Sequence, residues 1–361
     1  MFRPPRCPNG ACKMHAQPEP DFFVRNGSYV SKVKAHRIPR FRCKTCGKGF
    51  SRQTFRHDYR DKKPYLNVAV YQSLCSGVGY RQSARHIDLT RRNFTNKARK
   101  IQRTVGALDA NLLERAGAVE IERANPRPLD FQFDEFETYE MCRNTMPLSV
   151  PTAVESESRL ILGTIAASIR PRGTMTKRRI ARIERHRQRY GEREDRSSEA
   201  CRDVLKRAAA FRPNASVVRI NSDFKSSYPG FINRVFARSK VQHHKTLGRA
   251  PRNANSPLAA INLAEAVIRD LTGRVRRESW LTTKKCAYLN LHLGLFCCYR
   301  NWVRPRFNRD HECPGEIAGF AERRLRPGEV VGWRQDWGQR SPSPYGMGQR
   351  AVESEWARAA A

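Results

Sequence analysis

The chain has 361 residues, room for two or three domains with at least one sizeable core. Its 69 lysines and arginines against 34 acids leave a net charge of +35. Solubility alone does not call for such an excess, which implies a polyanionic partner, either nucleic acid or an anionic membrane.

Membrane is the weaker choice. No run of about 18 or more residues is apolar, and the opening Met1-Phe2-Arg3-Pro4 stretch lacks the apolar core of a signal peptide. Eleven cysteines in so long a chain, an odd number, suit a reducing cytoplasm. Clustered cysteines are then metal ligands and scattered ones mostly core residues. A protein that merely coats nucleic acid has the same composition, so charge alone does not name a function.

Residues 1–64 are rich in Cys, Pro and Arg and carry a net charge of +12. Cys7 and Cys12 are separated by four residues, and Cys43 and Cys46 by two, in Arg42-Cys43-Lys44-Thr45-Cys46-Gly47. Two close pairs supply the four soft ligands of a tetrahedral zinc ion without a large core. Gly47 gives the backbone freedom that the second turn needs. A small hairpin region is expected between the pairs, with His15 and His36 as rival ligands. The surrounding cations (Arg40, Arg42, Lys44, Lys48, Arg52, Arg56) suit phosphate contacts. The segment reads as a zinc ribbon, a module used for protein contacts as well as DNA.

Residues 65–105 read as three helices. Leu66 to Leu74 is the first, broken by Gly77 and Gly79, and Arg81 to Ile87 is the second. Asp88-Leu89-Thr90 is a turn, with Thr90 placed to cap a third helix running to about Val105. That helix has apolar Phe94, Ala98, Ile101 and Val105 on one side, and carries Arg91, Arg92, Lys97, Arg99, Lys100 and Arg103. This is the layout of a helix-turn-helix with its last helix in the major groove, and Arg81 joins the candidate DNA contacts. An ordinary three-helix bundle with a solvated basic face shares the pattern.

Residues 106–128 read as a connector ending in Asn125-Pro126-Arg127-Pro128. Strands follow at Leu129 to Asp134, Leu148 to Val154 and Arg159 to Ala166. Residues 172–210 read as a basic helical insertion; Arg172 to Arg189 holds eight Lys or Arg and one Glu, including Lys177, Arg178 and Arg179. A DNA-gripping arm and a solvated helix face explain that run equally. A strand over 216–220, an amphipathic helix over 257–277 and a more apolar one over 284–302 follow. Residues 304–361 form an Arg- and Pro-rich extension whose last ten or so residues look frayed. In it, Trp333 to Gly338 sets aromatics among charges and is expected to pack on the core.

Asp134 ends the first of these strands, and Asp223 follows the strand at 216–220. Both lie where strands run into loops, which is where α/β sheets place their chemistry. Glu265 flanks the apolar stripe Ile261, Ala264, Ile268, Leu271 and Val275 of the amphipathic helix. Phosphodiester cleavage uses two divalent ions roughly 4 Å apart, and hard cations take carboxylate oxygens. Three acids on two strands and a helix suit that task. The bland readings are that Glu135, Glu137 or Glu140 replaces Asp134, that Asp223 caps a turn, and that Glu265 pairs with Arg269 at i+4.

At these residues the chain resembles the zinc-ribbon transposases of bacterial insertion sequences. Cys7-Pro8, Arg42 to Lys48 and the helix-turn-helix resemble their N-terminal part. Asp134-Glu135, Ser222-Asp223 and Asn262 to Glu265 look like the three blocks of their DDE domain. The resemblance spans roughly residues 7–303. It implies a multidomain α/β chain: zinc ribbon, helix-turn-helix, then a ribonuclease-H-like mixed sheet flanked by helices over 129–303. It implies catalysis by Asp134, Asp223 and Glu265 with two Mg2+ or Mn2+ ions, beside a structural Zn2+. Some relatives use Asn in the third position, so Asn262 shares candidacy with Glu265. His243, His244 and Lys245 become candidate phosphate contacts.

The implied activity is binding of insertion-sequence ends, hydrolysis of a phosphodiester and strand transfer into target DNA. The partner is double-stranded DNA, with a homo-oligomer assembled on it, in the bacterial cytoplasm at the nucleoid. A sequence-specific DNA-binding regulator with an inactive catalytic domain is the alternative. It would keep binding and lack metal-dependent cleavage.

Overall fold

The computed structural model describes residues 2–30, 37–55, 58, 61–247, 253, 255–276 and 279–333. The chain divides into two units, residues 1–64 and 65–361.

The first unit has little aliphatic core, and cysteines and aromatic rings replace it. A short helix α1 (Lys13–Ala16) follows the first cysteine pair. Then β1 (Phe23–Val30), β2 (Arg37–Cys43) and β3 (Gly49–Ser51) form an antiparallel sheet in the order β1-β2-β3. Phe22, Phe41, Phe50 and Phe55 are buried beneath the cysteines, with rings such as Phe23 and Phe41 edge to face at 5.4 Å.

The second unit begins with α2 (Asn67–Leu74), α3 (Tyr80–His86) and α4 (Arg91–Ile121). Thr90 caps α4 as expected, its hydroxyl accepting from the Asn93 amide at 3.3 Å. The helix does not stop near Val105, however. The apolar spacing continues through Leu108, Leu112 and Ala116, all buried, and the expected connector is helical as far as Ile121. Gly106 is part of the reason. A Cβ there would lie 3.5 Å from the Gly294 Cα, in direct contact with the backbone of the helix that carries it, so this glycine marks a close helix crossing rather than a stop.

The sheet comprises β4 (Leu129–Tyr139), β5 (Pro147–Glu155), β6 (Ile161–Thr164) and β7 (Ala167–Ser168), then two later strands. The region 172–210 holds two unlike helices. In α5 (Lys177–Tyr190) no residue is buried, whereas α6 (Ser197–Phe211) buries Ala200, Cys201, Val204, Leu205, Ala208 and Phe211. Only the first part of the expected insertion is peripheral, because α6 packs on β5 and β6 as part of the core.

Next come β8 (Val217–Asp223), α7 (Tyr228–Val235) and β9 (Lys240–Thr246). Sheet order is β6-β5-β4-β8-β9, with β7 beside β5. β4, β5 and β6 pair with one another antiparallel, while β8 and β9 extend the sheet from β4 in parallel. β9 was not foreseen, since Lys-Val-Gln-His-His-Lys-Thr lacks the apolar run of a buried parallel strand. It lies at the sheet's edge and buries no residue fully.

The chain ends its core with α8 (Ala259–Thr272), α9 (Cys286–Cys298), α10 (Pro314–Ile317) and α11 (Pro327–Gly332). One face of the sheet packs Phe131, Phe133, Val218 and Ile220 with residues of α4 and α6. The other packs Phe136, Leu148 and Val150 with Ile261, Ala264 and Ile268 of α8 and with α9. The protein is thus α/β, with a six-stranded mixed sheet flanked by helices and an N-terminal cysteine cluster. Trp333 packs into the first core beside Val330, so the extension's beginning belongs to the fold. The rest of the Trp333–Gly338 motif and the last ten residues lie outside the described residues. Among those described, no helix is long and apolar enough to cross a membrane.

Candidate functional site

The four cysteines meet. The sulfurs of Cys7, Cys12, Cys43 and Cys46 lie within 4.8 Å of one another, with Cys7 3.5 Å from Cys46 and Cys12 3.9 Å from Cys43. The second turn forms as its residues dictate: Gly47 takes φ +70°, and its amide donates to the Cys43 carbonyl at 3.0 Å. The Lys48 amide holds the Cys46 thiol down to about 6, while burial pushes Cys7 up to about 12. Four sulfurs at this spacing fit a zinc ion, which favours the thiolate over the thiol at every ligand. His15 is not among the ligands; its ring nitrogen Nδ1 bonds the Cys7 carbonyl at 2.7 Å. His36 and Arg56 lie outside the described residues.

The acids of the second unit are arranged by strand register. Phe133 of β4 pairs with Ser222 of β8 in the parallel ladder, so Asp134 and Asp223 follow side by side. Since strand side chains alternate, both leave the face that holds Phe133 and Ser222 and emerge on the α8 face. Asp134 Oδ1 accepts from the Glu135 amide at 2.7 Å, and Asp223 Oδ1 from the Lys225 amide at 3.2 Å.

Two contacts place α8. The Ile261 amide donates to Gln132 Oε1 at 2.9 Å, and the Arg269 guanidinium lies over the Phe136 ring at 4.6 Å. Glu265 stands midway between Ile261 and Arg269 on one helical face, as Asp134 stands midway between Gln132 and Phe136 on one strand face. Glu265 is buried and pairs with Arg269 at 3.8 Å, the i+4 ion pair weighed from the sequence. Asn262 is half-buried one residue past the Gln132 contact.

Among the described residues, only the cysteines bring three or more ligand atoms within 4.8 Å of one another. The three acids do not close to that distance. Two ions about 4 Å apart do not require it, because each ion takes a different subset of oxygens.

Glu135, a rival to Asp134, points to the other face. Its buried carboxylate bonds Lys225 and the Ser149 hydroxyl. Burial raises its pKa, Lys225 and Ser149 outweigh this, and the net shift is downward. Glu135, Asp134 and Asp223 all act on the buried Tyr228 phenol, which burial and these three charges push far up. Three acids thus stand around Tyr228 in a strongly basic chain, one of them paired with Lys225.

The candidate phosphate contacts separate into groups. His243 and Lys245 sit on the β9 face shared with Ser222, while His244 shares the face of Asp134 and Asp223. His243 Nε2 lies 2.8 Å from the Ser222 hydroxyl, and burial, with Lys245 and His244 nearby, lowers its pKa. It is thus a neutral brace between strands rather than a cation. Arg81, Arg91, Arg92 and Lys100 are exposed on α3 and α4. Arg99 is covered, its guanidinium 4.1 Å from the Tyr288 ring. Lys97 is a correction: it is buried, with its Nζ donating to Asn67 Oδ1 at 2.7 Å. Lys177 and Arg178 are exposed on α5, but Arg179 is spent on the carbonyls of Arg172, Thr174 and Asn144.

No family model matches the chain, and no curated protein matches it. Among solved structures it is similar to a "Crystal structure of a pre-cleavage Mos1 transpososome", at 10% identity, covering 66% of this chain and 79% of that one, with a TM-score of 0.17. This is a loose likeness to a transposase complex, and a superposition that distant carries no argument about chemistry.

Proposed function

We propose that the protein is a DNA transposase of the DDE type, with Asp134, Asp223 and Glu265 as its catalytic acids. The observation that carries this reading is the adjacency of Asp134 and Asp223 on parallel strands, with Glu265 of α8 level with Asp134. A mixed sheet with helices on both faces is what a ribonuclease-H-like fold requires, and the cysteine cluster suits a zinc ribbon. The helices α2 to α4 suit a helix-turn-helix that reads DNA through Arg91, Arg92 and Lys100. No serine or tyrosine nucleophile is invoked.

Asp134, Asp223 and Glu265 would hold magnesium or manganese, which would supply charge stabilisation for an in-line phosphoryl displacement. The chain's own part is positioning. Backbone amides of Glu135 and Lys225 orient the two aspartates. The Gln132–Ile261 bond holds α8 against β4, so Glu265 faces the sheet. Arg269 pairs with Glu265 at 3.8 Å and holds its carboxylate in place. Exposed arginines around the unit bind phosphates and set the DNA's position. Synapsis of two element ends calls for a homo-oligomer on DNA, in a bacterial cytoplasm.

The test is cleavage of labelled DNA carrying the ends of the element that encodes the chain, with magnesium or manganese, by wild type and Asp223→Asn. Cleavage by wild type alone, with binding retained in the variant, supports the proposal. Tight, sequence-specific binding without cleavage by either protein selects a DNA-binding regulator instead.

A further inference from the structure

A groove of about 660 Å3 lies between α3, the start of α4 and the segment joining α8 to α9. Its walls carry six cations, Arg81, Arg85, Arg91, Arg99, Arg274 and Lys284, and no lining residue is acidic. Among the described residues none of Arg81, Arg85 and Arg91 makes an ion pair, although the chain is folded and acids are present elsewhere on the unit. Like charges around one hollow repel each other, and a bound polyanion offsets that repulsion more than screening by water and salt does.

Three aromatic residues line the same groove: Tyr80, Trp280 and Tyr288. Two are already engaged. Arg274 lies 5.0 Å over the Tyr80 ring, whose hydroxyl also accepts from Gln102 at 2.8 Å, and Arg99 lies over Tyr288. Trp280 is different, being fully exposed. A fully wetted indole beside guanidinium groups gives up apolar area for no folding gain. It offers a flat face at the rim of a basic hollow.

A continuous duplex presents phosphates and groove edges, and its base faces are covered by stacking. An unpaired base presents its face, which stacks on any aromatic ring, while its phosphates sit among the cations. The groove's volume falls within the range of about 300–1,000 Å3 that encloses small ligands, room for a nucleotide or two rather than a helix. We infer that this groove binds a short unpaired stretch of DNA, a base stacking on Trp280 and the phosphates lying on Arg81, Arg85 and Arg91. This rests on the DNA reading above for the partner's class. It adds that the chain recognises a frayed or cut strand at a place separate from the acids on the sheet.

The experiment uses the full chain, a labelled oligo-dT strand and a blunt duplex of equal length, with affinities read by fluorescence anisotropy. Trp280→Ala should weaken oligo-dT binding by about 10-fold or more while changing duplex binding by less than about 2-fold, and Trp280→Phe should restore most of the loss. Arg85→Ala should flatten the salt dependence of oligo-dT binding. Unchanged oligo-dT binding in Trp280→Ala, or an equal loss on both probes, overturns the inference. If that happens while wild type still binds and cleaves duplex, the transposase reading stands and only the groove assignment falls. If wild type binds neither probe, both fall together.

Discussion

Asp134 and Asp223 are 89 residues apart in sequence and side by side in space, each one step beyond the Phe133–Ser222 pair of the β4–β8 ladder. A parallel ladder puts paired residues on one face, so the two carboxylates emerge together on the side covered by α8. The first prediction follows. Asp134→Asn and Asp223→Asn each lower metal-dependent cleavage by at least roughly 100-fold, since metal stabilisation is worth several kcal/mol. DNA affinity should be retained or rise, because each variant removes a negative charge. A cleavage rate within a few-fold of wild type for either variant would remove that residue from the site. Glu265→Gln compared with Asn262→Ala, in the same assay, decides which α8 residue completes it.

Lys97 and its neighbours separate structure from recognition. Lys97→Ala removes the buried hydrogen bond from Lys97 Nζ to Asn67 Oδ1, and should cost about 1–3 kcal/mol of stability. Arg91→Ala and Arg92→Ala should leave the melting temperature unchanged, while each flattens the salt dependence of DNA binding by about one phosphate contact. Thermal melts and salt titrations of the three variants check this. A normal melting temperature for Lys97→Ala paired with a large loss of DNA affinity would return Lys97 to the DNA contacts.

Asp109 on α4 makes stability depend on pH. Trp302 Nε1 and Asn301 Nδ2 donate to its Oδ1 at 2.8 and 3.1 Å, yet burial pushes its carboxyl up to about 7 from an ordinary 3.8. Between those values the folded chain holds a proton that the unfolded chain has lost. Its contribution is therefore full below 3.8 and is lost as pH rises through about 7. Asp109→Asn keeps an acceptor oxygen and removes the titration. The variant should melt higher than wild type at a pH above 7, with the gain shrinking towards pH 4. A difference in melting temperature that is the same at both ends would show that Asp109 does not titrate in this way.

The cysteine cluster predicts about one zinc per chain, as a closed structural site requires. Cys43→Ser should lower the metal content sharply and leave residues 2–55 open to protease. The second unit, which has its own core, should keep its melting transition. Structural zinc contributes roughly 10–16 kcal/mol to folding at neutral pH, so the loss in the first unit should be complete rather than graded. Full zinc content in Cys43→Ser would mean that a different residue completes the site.

Much of the candidate site was legible because its residues carry local signals. The cysteine pairs, Thr90 before a periodic run, and Asp223 at the end of β8 are each recognisable within a few residues, whereas Asp134, expected where a strand runs into a loop, lies in the middle of β4, which continues to Tyr139. Other features left little trace. β9 carries polar residues because it is an edge strand, and the true length of α4 was hidden behind Gly106. Lys97 looks like any other cation of a basic helix until Asn67 is seen opposite. Trp280 is an unremarkable tryptophan until the arginines of two distant segments stand around it.

By itself the sequence determined that the chain is strongly basic, that four cysteines in two pairs are available to one metal ion, and where the helices α2, α6, α8 and α9 and the strands β4, β5, β6 and β8 lie, though not all of their ends. Those properties are local, set by composition, spacing and capping. Only the tertiary structure decided which face each acid takes, that α6 belongs to the core while α5 does not, and that Arg81 and Trp280 share a groove. Those depend on register and helix packing, where a shift of one residue along a strand reverses the face, and no local pattern encodes that choice.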